Sequence, residues 1–425
     1  MSPVPVRLEA APSGREPAPR PSFLVHLHPS LVTARALLPS TTLGVGIAAV
    51  ALFGALLGSG VLLALHYTPS PAEAYGSVLE LEWAVPFGRT LRAVHRWAAD
   101  ALLVVTLIHL VRVVAMAAYR ARGFNWMVGL GLLALVLLSS FTGYVLPWDQ
   151  RAYWGARVVA GLLDYVPALG PVAARLLFGA RELAAPALPR LHGLHVTLLP
   201  ALFIGLGVVH VWRVRRDGGL ARPSGSPVLV PARPHLLGRE VAVALVVLAV
   251  LLAVASFVPA PLGAPADVVR PANPEKAPWY FLGLQELASR SAVVGALALP
   301  LVAILLLALL PFVDGGDEEV GLWVPARRER LLWAAAALLT ILAVGAGYAL
   351  VPAGAGAAAG TWASVAPLVS ASLVLAVALP SFGRRASLRA ALVALGLALV
   401  VFTVVGACRG PDWVLLSPWE ALRGP

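Results

Sequence analysis

The chain has 425 residues, of which 59% are hydrophobic and 12% are charged. Water-soluble globular proteins carry about 45–50% apolar and about 25% charged residues, so this composition excludes a soluble fold. The formal net charge of +11 does not indicate nucleic-acid binding, because the basic residues lie between hydrophobic segments rather than on one face. The single cysteine, Cys408, excludes a disulfide framework, a cysteine-ligated iron–sulfur cluster and a CxxCH attachment motif.

Hydrophobic segments recur along the chain, and several reach the roughly 18–20 apolar residues that cross a bilayer. They predict an all-α polytopic membrane protein with nine transmembrane helices, at about residues 41–66, 93–118, 126–147, 192–214, 239–258, 293–313, 331–351, 364–381 and 388–407. Residues 1–40 are polar and proline-rich, so we expect an N-terminal arm without a cleavable signal peptide.

The loops between the predicted helices alternate in charge. The N-terminal arm, the stretch "YRARGFNW" and the segment after the fourth helix are rich in arginine, whereas "PSPAEAYGSVLELEWAVPFGRT" is net acidic. The positive-inside rule therefore predicts a cytoplasmic N-terminus, and nine helices then place the C-terminus outside.

A Gly/Pro/Ser-rich linker at residues 218–236 divides the chain into two modules. The first, 41–217, carries four predicted helices and the second, 237–425, carries five. The connections at 148–190 and 259–292 both fall on the outer side, and they are too long for simple turns. Long ordered loops of this kind are where binding sites are commonly built.

Four of the nine histidines stand apart from the rest, because they form two matching pairs inside predicted helices. His95 and His109 are fourteen residues apart in the second helix, and His195 and His210 are fifteen apart in the fourth. At 1.5 Å per residue each interval spans roughly 21 Å, and each pair leaves nearly the same helix face. Two such helices facing each other form two bis-imidazole sites at different depths of the membrane. A pair of imidazoles in apolar surroundings is a suitable set of axial ligands for haem iron. The alternative is that these are helix–helix hydrogen-bonding histidines of a transporter.

Glycines repeat with the same interval in the first and third helices. Gly46 and Gly60 are fourteen residues apart, as are Gly129 and Gly143. A flat macrocycle pressed against a helix needs positions without side chains, which glycine provides. The four helices are therefore interpreted as a dihaem bundle.

Arginines lie near the histidines along the chain, and guanidinium groups at helix ends are natural partners for haem propionates. The predicted propionate-binding residues are Arg92, Arg96, Arg112 and Arg190. Each of them is also consistent with an interfacial arginine that extends toward water.

Five stretches together resemble cytochrome b of the quinol:cytochrome c oxidoreductase (cytochrome bc) complexes, over about residues 41–290. They are "GSGVLLALHYTPS", "AVHRWAADALLVVTLIHLVR", "GYVLPWDQRAYWG", "RLHGLHVTLLPALFIGLGVVHVW" and "KAPWYFLGLQEL". The fifteen-residue histidine interval and "PWDQRAYWG" resemble the chloroplast and Gram-positive branch, with its two subunits fused here at the linker.

The resemblance implies two non-covalent b-type haems, a low-potential one near the outer face on His95 and His195 and a high-potential one near the cytoplasmic face on His109 and His210. It also implies bifurcated quinol oxidation, in which one electron goes to a Rieske iron–sulfur protein and the other crosses both haems to an inner quinone, coupled to proton translocation. The implied setting is a bacterial inner membrane, in a complex with the Rieske protein, a c-type cytochrome and a second copy of the chain, surrounded by membrane lipid. Menaquinol is slightly favoured as substrate, and no cysteine lies in the N-terminal region to attach a further haem.

The outer quinol site implied by the resemblance is formed by the end of the third helix, the loop after it and the loop between the fifth and sixth helices. Its predicted residues are Tyr144, Pro147, Trp148, Asp149, Trp279, Tyr280 and Glu286. The family usually carries Pro-Glu-Trp-Tyr in the second loop, with the Glu as proton acceptor, but this chain has Pro278 at that position. Glu286 is the preferred substitute, with Glu275 and Asp149 as alternatives, and a merely structural role for Glu286 is nearly as well supported.

The inner quinone site is predicted on the cytoplasmic side, where basic and acidic groups would deliver protons to the quinone. Its predicted residues are Arg215, Asp217, Arg239 and Glu240. Two other functions stay open at this point: a dihaem membrane-anchor cytochrome of another quinone-linked dehydrogenase, and a transporter without haem. The first of these lacks the "PWDQ" and "PWY" loop elements.

Overall fold

The computed structural model describes residues 30–38, 43–181, 183–217, 219, 228–314, 321, 327–350 and 357–416. It is almost entirely helical, and nine of the helices in these ranges are long and apolar enough to cross a membrane. The predicted all-α polytopic fold with nine spans is therefore confirmed.

The N-terminal module contains eight helices, of which some span the membrane and others lie in the connections between spans. They are α1 (Val45–Ala64), α2 (Ala74–Ala84), α3 (Gly88–Ala115), α4 (Gly123–Val145), α5 (Gln150–Leu163), α6 (Leu169–Phe178), α7 (Ala187–Gly193) and α8 (Leu199–Arg216). A π-helical turn, Leu194–Leu198, joins α7 and α8 into one membrane span.

The four spans α1, α3, α4 and α7–α8 pack into a bundle, with α1 against α3 and α4 against α8. Leu52, Leu102, Leu103 and Val136 form part of its buried core. Much of the outward surface is apolar and exposed, for example Val61 and Val111. Exposed aliphatic side chains of this kind are expected where lipid replaces water as the solvent.

The C-terminal module contains five helices after the linker. They are α9 (Ala232–Phe257), α10 (Trp279–Arg290), α11 (Leu299–Val313), α12 (Arg327–Leu350) and α13 (Ala357–Ala407). Gly383, with φ of 81°, breaks α13 into two membrane spans. Helix α10 has 12 residues, which is too few to span the membrane. It packs against α13.

The boundary between the modules is marked by a two-stranded antiparallel sheet. Strand β1 (Leu31–Thr33) of the N-terminal arm pairs with β2 (Leu229–Pro231) of the linker. Most of the predicted arm 1–40 and linker 218–236 lies outside the described residues. The last five residues predicted as linker belong to α9, which is kinked at Arg233.

Candidate haem and quinone sites

The bundle brings the four intramembrane histidines together in two pairs. Helix α3 carries His95 and His109, and the α7–α8 span carries His195 and His210. The ring centroids of His95 and His195 are 6.2 Å apart, and those of His109 and His210 are 6.3 Å apart. The two predicted pairs are thus juxtaposed at two levels, roughly 21 Å apart along α3.

The π-helical turn explains how a fifteen-residue interval matches a fourteen-residue one. In a regular α-helix fourteen residues fall about 40° short of four turns, whereas fifteen pass them by about 60°. Pro200 has no N–H and its ring clashes with the carbonyl four residues earlier, which favours a π turn just before it. There the Leu199 N–H donates to the Leu194 carbonyl, five residues back. The turn absorbs one residue, so His195 and His210 lie on one helix face.

The space between the paired rings fits an axially ligated metal. A first-row metal about 2.0–2.1 Å from each imidazole nitrogen separates the two ring centroids by about 6 Å. In the described part of the chain no three His, Cys, Asp or Glu side chains cluster to hold a bare metal ion. Two imidazoles in an apolar bundle therefore suit a metal whose other ligands come from a macrocycle.

Hydroxyl groups orient the outer histidine pair. The Nδ1 of His95 is 3.0 Å from the Ser59 hydroxyl, and the Nδ1 of His195 is 3.0 Å from the Thr142 hydroxyl. Ser59 donates its own proton to the Ala55 carbonyl, and Thr142 donates to its own helix in the same way. Each hydroxyl oxygen must then accept from Nδ1–H, which leaves the Nε2 lone pair of each ring available to a metal.

The inner histidine pair has a different environment. The Nδ1 atoms of His109 and His210 are buried and contact no hydroxyl among the described residues, and the backbone carbonyl of Asn125 lies beside the His210 imidazole. The two pairs are therefore alike in the distance between their rings but differ in the groups that lie beside Nδ1.

Three of the four predicted glycines lie against a histidine ring. A Cβ added to Gly60 would lie 3.1 Å from Cε1 of His95, and one added to Gly143 would lie 2.7 Å from Cε1 of His195. At Gly129 the corresponding distance, to Cε1 of His210, is 3.3 Å, whereas a Cβ on Gly46 meets no atom within 4 Å. A side chain at Gly60 or Gly143 would occupy space beside the rings.

The predicted propionate arginines contact protein groups. Arg92 is buried, pairs with Glu82 and donates to the Ala260 carbonyl at 3.1 Å. Arg96 pairs with Asp100 at 2.8 Å.

The other two arginines occupy different positions. Arg190 donates to the carbonyls of Arg175 and Leu176 at the end of α6. Arg112 is buried one turn beyond His109. Arg112 thus lies buried beside a histidine of its own helix, as Arg92 does, while Arg190 fastens the outer loop.

The "PWDQ" stretch clamps the loop that follows α9. Asp149 caps α5 by accepting from the Ala152 N–H at 2.9 Å, and its second oxygen accepts from the Gly263 N–H at 2.7 Å. The Gln150 N–H donates to the Ala264 carbonyl at 2.9 Å. Both carboxylate oxygens of Asp149 are therefore engaged with backbone donors, and Asp149 holds the two outer loops together.

The "PWY" stretch lies against the outer end of the bundle. The Trp279 indole N–H is 3.3 Å from the Asp100 carboxylate, and the Tyr280 hydroxyl is 3.4 Å from the Ser140 carbonyl. Burial raises the pKa of the Tyr280 phenol to about 12, so it stays a hydrogen-bond donor. The predicted outer-site residues of α4 and α10 are thus neighbours.

Glu286 is completely buried in a network of donors. Its carboxylate accepts from Arg409, whose Nε is 2.9 Å away, from the Tyr348 hydroxyl at 2.6 Å and from the Trp413 indole N–H at 3.0 Å. Arg290 lies 3.6 Å away on the same helix. Both oxygens of the Glu286 carboxylate are thus engaged by protein donors, and this argues against Glu286 as the proton acceptor.

Glu275 has the opposite environment. Its Oε2 is buried and has no hydrogen-bond partner among the described residues. Burial raises the pKa of the Glu275 carboxyl to about 7, Arg151 opposes the rise and Asp149 adds to it. The phenol of Tyr144 also lies within electrostatic reach of Glu275. A carboxyl with this pKa can take up a proton near neutral pH.

A groove of about 470 Å³ lies beside this segment, between α5, α10 and Trp413. This volume is within the range of about 300–1,000 Å³ found for small-molecule sites. Its wall includes Gln285, whose amide accepts from the Ala277 N–H and donates to the Glu275 carbonyl, both at 2.7 Å. The Gln285 side chain thus connects the groove to the backbone of residues 275–277.

The predicted inner quinone residues lie near the C-terminal end of α8 and the N-terminal end of α9. Arg215 pairs with Glu240 at 3.2 Å across the two helices. Asp217 pairs with Arg213 at 3.4 Å on its own helix, and Arg239 is exposed. The structure therefore brings Arg215 and Glu240 together.

Several residues of these sites do not follow from sequence reasoning. Asp100 contacts Trp279, and Arg409 contacts Glu286, through long-range packing. Ser59 and Thr142 had a usable signal, because each directly precedes an outer glycine, Gly60 or Gly143.

Comparisons with known proteins agree with this architecture. Residues 33–218 match the family model for cytochrome b/b6/petB. A chain from the structure of a hyperthermophilic respiratory Complex III is 26% identical, with a TM-score of 0.64 over 79% of this chain and 90% of that chain. The family match covers the histidine-bearing module, and the structural match extends into the C-terminal module. Residues 33–218, which carry the four histidines, thus match the cytochrome b family, and the nine apolar helices among the described residues are those of a multi-pass membrane protein.

Proposed function

We propose that this chain is the membrane subunit of a quinol:cytochrome c oxidoreductase. It oxidises quinol at an outer site, where one of the two electrons passes to a Rieske iron–sulfur protein. The other electron crosses the membrane to quinone at an inner site, coupled to proton translocation. The observation that carries this proposal is the combination of two histidine pairs at two depths with the "PWDQ" and "PWY" loops beside the outer pair. A membrane-anchor cytochrome has no need of these loops.

His95 with His195 and His109 with His210 would each hold one non-covalent b-type haem. When bound, the haems supply two one-electron centres at different depths of the membrane. Gly60, Gly129 and Gly143 leave room beside the rings, a role that we extend to Gly46. Arg92, Arg96, Arg112 and Arg190 stay the candidates for the haem propionates, and Arg112 lies buried one turn beyond His109.

The outer quinol site comprises Tyr144, the Pro147–Gln150 stretch, Trp279 and Tyr280. Quinol oxidation releases two protons, so a carboxylate must stand within reach of the quinol hydroxyl groups. We assign this role to Glu275 instead of Glu286, since Glu275 has a buried oxygen without a partner whereas Glu286 is held by two arginines. Asp149 keeps the loops in place.

The inner quinone site comprises Arg215 and Glu240, with Asp217 and Arg239 nearby. The Arg215–Glu240 pair joins α8 to α9 and is partly exposed, so water reaches it from the cytoplasm. Arg215 would attract the reduced quinone oxygen, and the acids would relay protons to it.

The proposed setting is a bacterial inner membrane, with the N-terminus in the cytoplasm and the modules 41–217 and 237–425 joined by the 218–236 linker. The proposed partners are a Rieske iron–sulfur protein, a c-type cytochrome and a second copy of this chain, with membrane lipid around them and no nucleic acid. The similar chain of known structure comes from a respiratory Complex III, and this supports a multi-subunit assembly. Menaquinol is the slightly favoured substrate.

The test is the activity of the complex purified with its partners. We expect quinol-dependent reduction of a c-type cytochrome that requires the Rieske protein. A preparation with both partners and two haems that does not oxidise ubiquinol, menaquinol or plastoquinol would contradict the proposal. A chain that purifies instead with a dehydrogenase would support the anchor-cytochrome alternative.

A further inference from the structure

The outer and inner histidine pairs differ in one chemical respect. Ser59 and Thr142 hydroxyls lie 3.0 Å from the Nδ1 atoms of the outer pair. Among the described residues no hydroxyl contacts the Nδ1 atoms of the inner pair, on His109 and His210, and the backbone carbonyl of Asn125 lies beside the His210 imidazole.

The difference follows from the sequence beside the glycines. The outer glycines are preceded by hydroxyl residues, as Ser59-Gly60 and Thr142-Gly143, and the inner ones by valines, as Val45-Gly46 and Val128-Gly129. Each outer glycine lets its helix approach the histidine ring, which brings the neighbouring hydroxyl within bonding distance of Nδ1. Valine at the same position offers no acceptor.

A hydrogen bond from Nδ1–H to an acceptor places more electron density on the imidazole and makes it a more basic ligand. A more basic ligand stabilises the more positive, oxidised metal, and so lowers its reduction potential. The direction of the bond is fixed here, because Ser59 and Thr142 use their own protons on helix carbonyls.

We propose that the Ser59 and Thr142 hydroxyls lower the reduction potential of the haem between His95 and His195 relative to the haem between His109 and His210. The two hydroxyls act as positioning residues through the axial histidines. This inference rests on the proposed haem sites.

The experiment is a potentiometric titration of the purified complex, followed by haem absorbance. In Ser59→Ala and Thr142→Ala we expect the lower-potential wave to move upward while the higher wave stays in place. The equilibrium constant for electron transfer from the outer to the inner centre then falls several-fold. The two hydroxyls are on different helices, so each single variant is an independent test.

Three further variants separate tuning from packing. Thr142→Ser keeps a hydroxyl and is expected to keep the parent potential. Val128→Thr is nearly isosteric and installs a hydroxyl next to His210, so the higher wave is expected to move downward. Ser256→Ala is the matched control, because Ser256 also donates to its own helix, at 2.8 Å, but lies on the exposed face of α9.

Two outcomes would overturn the inference, and one would overturn its basis. If the lower wave stays in place in both alanine variants, or if Val128→Thr leaves the higher wave unchanged, the hydroxyls do not set the potentials. If the parent complex itself shows no pair of b-type haem waves, the proposed haem sites fail, and the inference fails with them.

Discussion

Glu286→Gln tests whether this carboxylate stabilises the fold or takes part in quinol oxidation. Glu286 is 0% exposed and the side chain of Arg409 is 5% exposed, so the charge on Arg409 loses its counter-ion in the variant. Breaking one side of a buried ion pair costs about 3–5 kcal/mol. That cost lowers the folding equilibrium constant by about a hundred- to several-thousand-fold, since 1.4 kcal/mol is a factor of about ten.

The assay is equilibrium unfolding of the detergent-solubilised complex, followed by tryptophan fluorescence. Arg409→Gln provides the matched control. Its effect in the Glu286→Gln background is expected to be smaller than in the parent, because the charge that it removes is already unpaired there. If Glu286→Gln unfolds like the parent and yet loses quinol oxidation, the reasoning is refuted and Glu286 is the proton acceptor.

Three other variants test the outer and inner sites. Glu275 accepts a proton only when it is ionised, so the parent rate of quinol oxidation is expected to rise as pH increases through about 7. In turnover measurements Glu275→Gln is expected to lose this pH dependence. Gly143→Ala introduces a Cβ 2.7 Å from the His195 ring, and overpacking of this kind costs about 1–3 kcal/mol, so haem content is expected to fall. Gly205→Ala is the control, because a Cβ at Gly205 meets no atom within 4 Å, and its haem content is expected to match that of the parent. Arg215→Gln removes a partly exposed ion pair with Glu240, so the free energy of unfolding is expected to change by only about 0–1 kcal/mol. Reduction of the inner haem by added quinol is expected to be slower in this variant. Unchanged pH dependence, unchanged haem content or unchanged haem reduction, respectively, would contradict these expectations.

The transmembrane architecture follows from periodic features of the sequence. Hydrophobic length predicts nine spans, and histidines fourteen and fifteen residues apart predict two facing pairs, because helix geometry relates residue spacing to direction and depth. These are local rules, and His95 and His109 obey them within one helix. The π turn before Pro200 then reconciles the second interval with the first.

The partners of the charged residues do not follow from local rules. Glu286 and Arg409 are 123 residues apart, and Arg92 and Ala260 are 168 apart, so only tertiary packing decides that they meet. For that reason the sequence identifies Glu286 as an acid near the outer loops but does not reveal the two arginines that enclose it. The buried oxygen of Glu275 likewise depends on the fold of the loop around it.

The central claim is that the four histidines hold two haems, and the haem content of the purified chain tests it most directly. We predict two b-type haems per chain, with two distinct potentials, and loss of the lower-potential haem alone in His195→Leu. One haem per chain or none in the parent, or a His195→Leu variant that keeps both, would contradict the account.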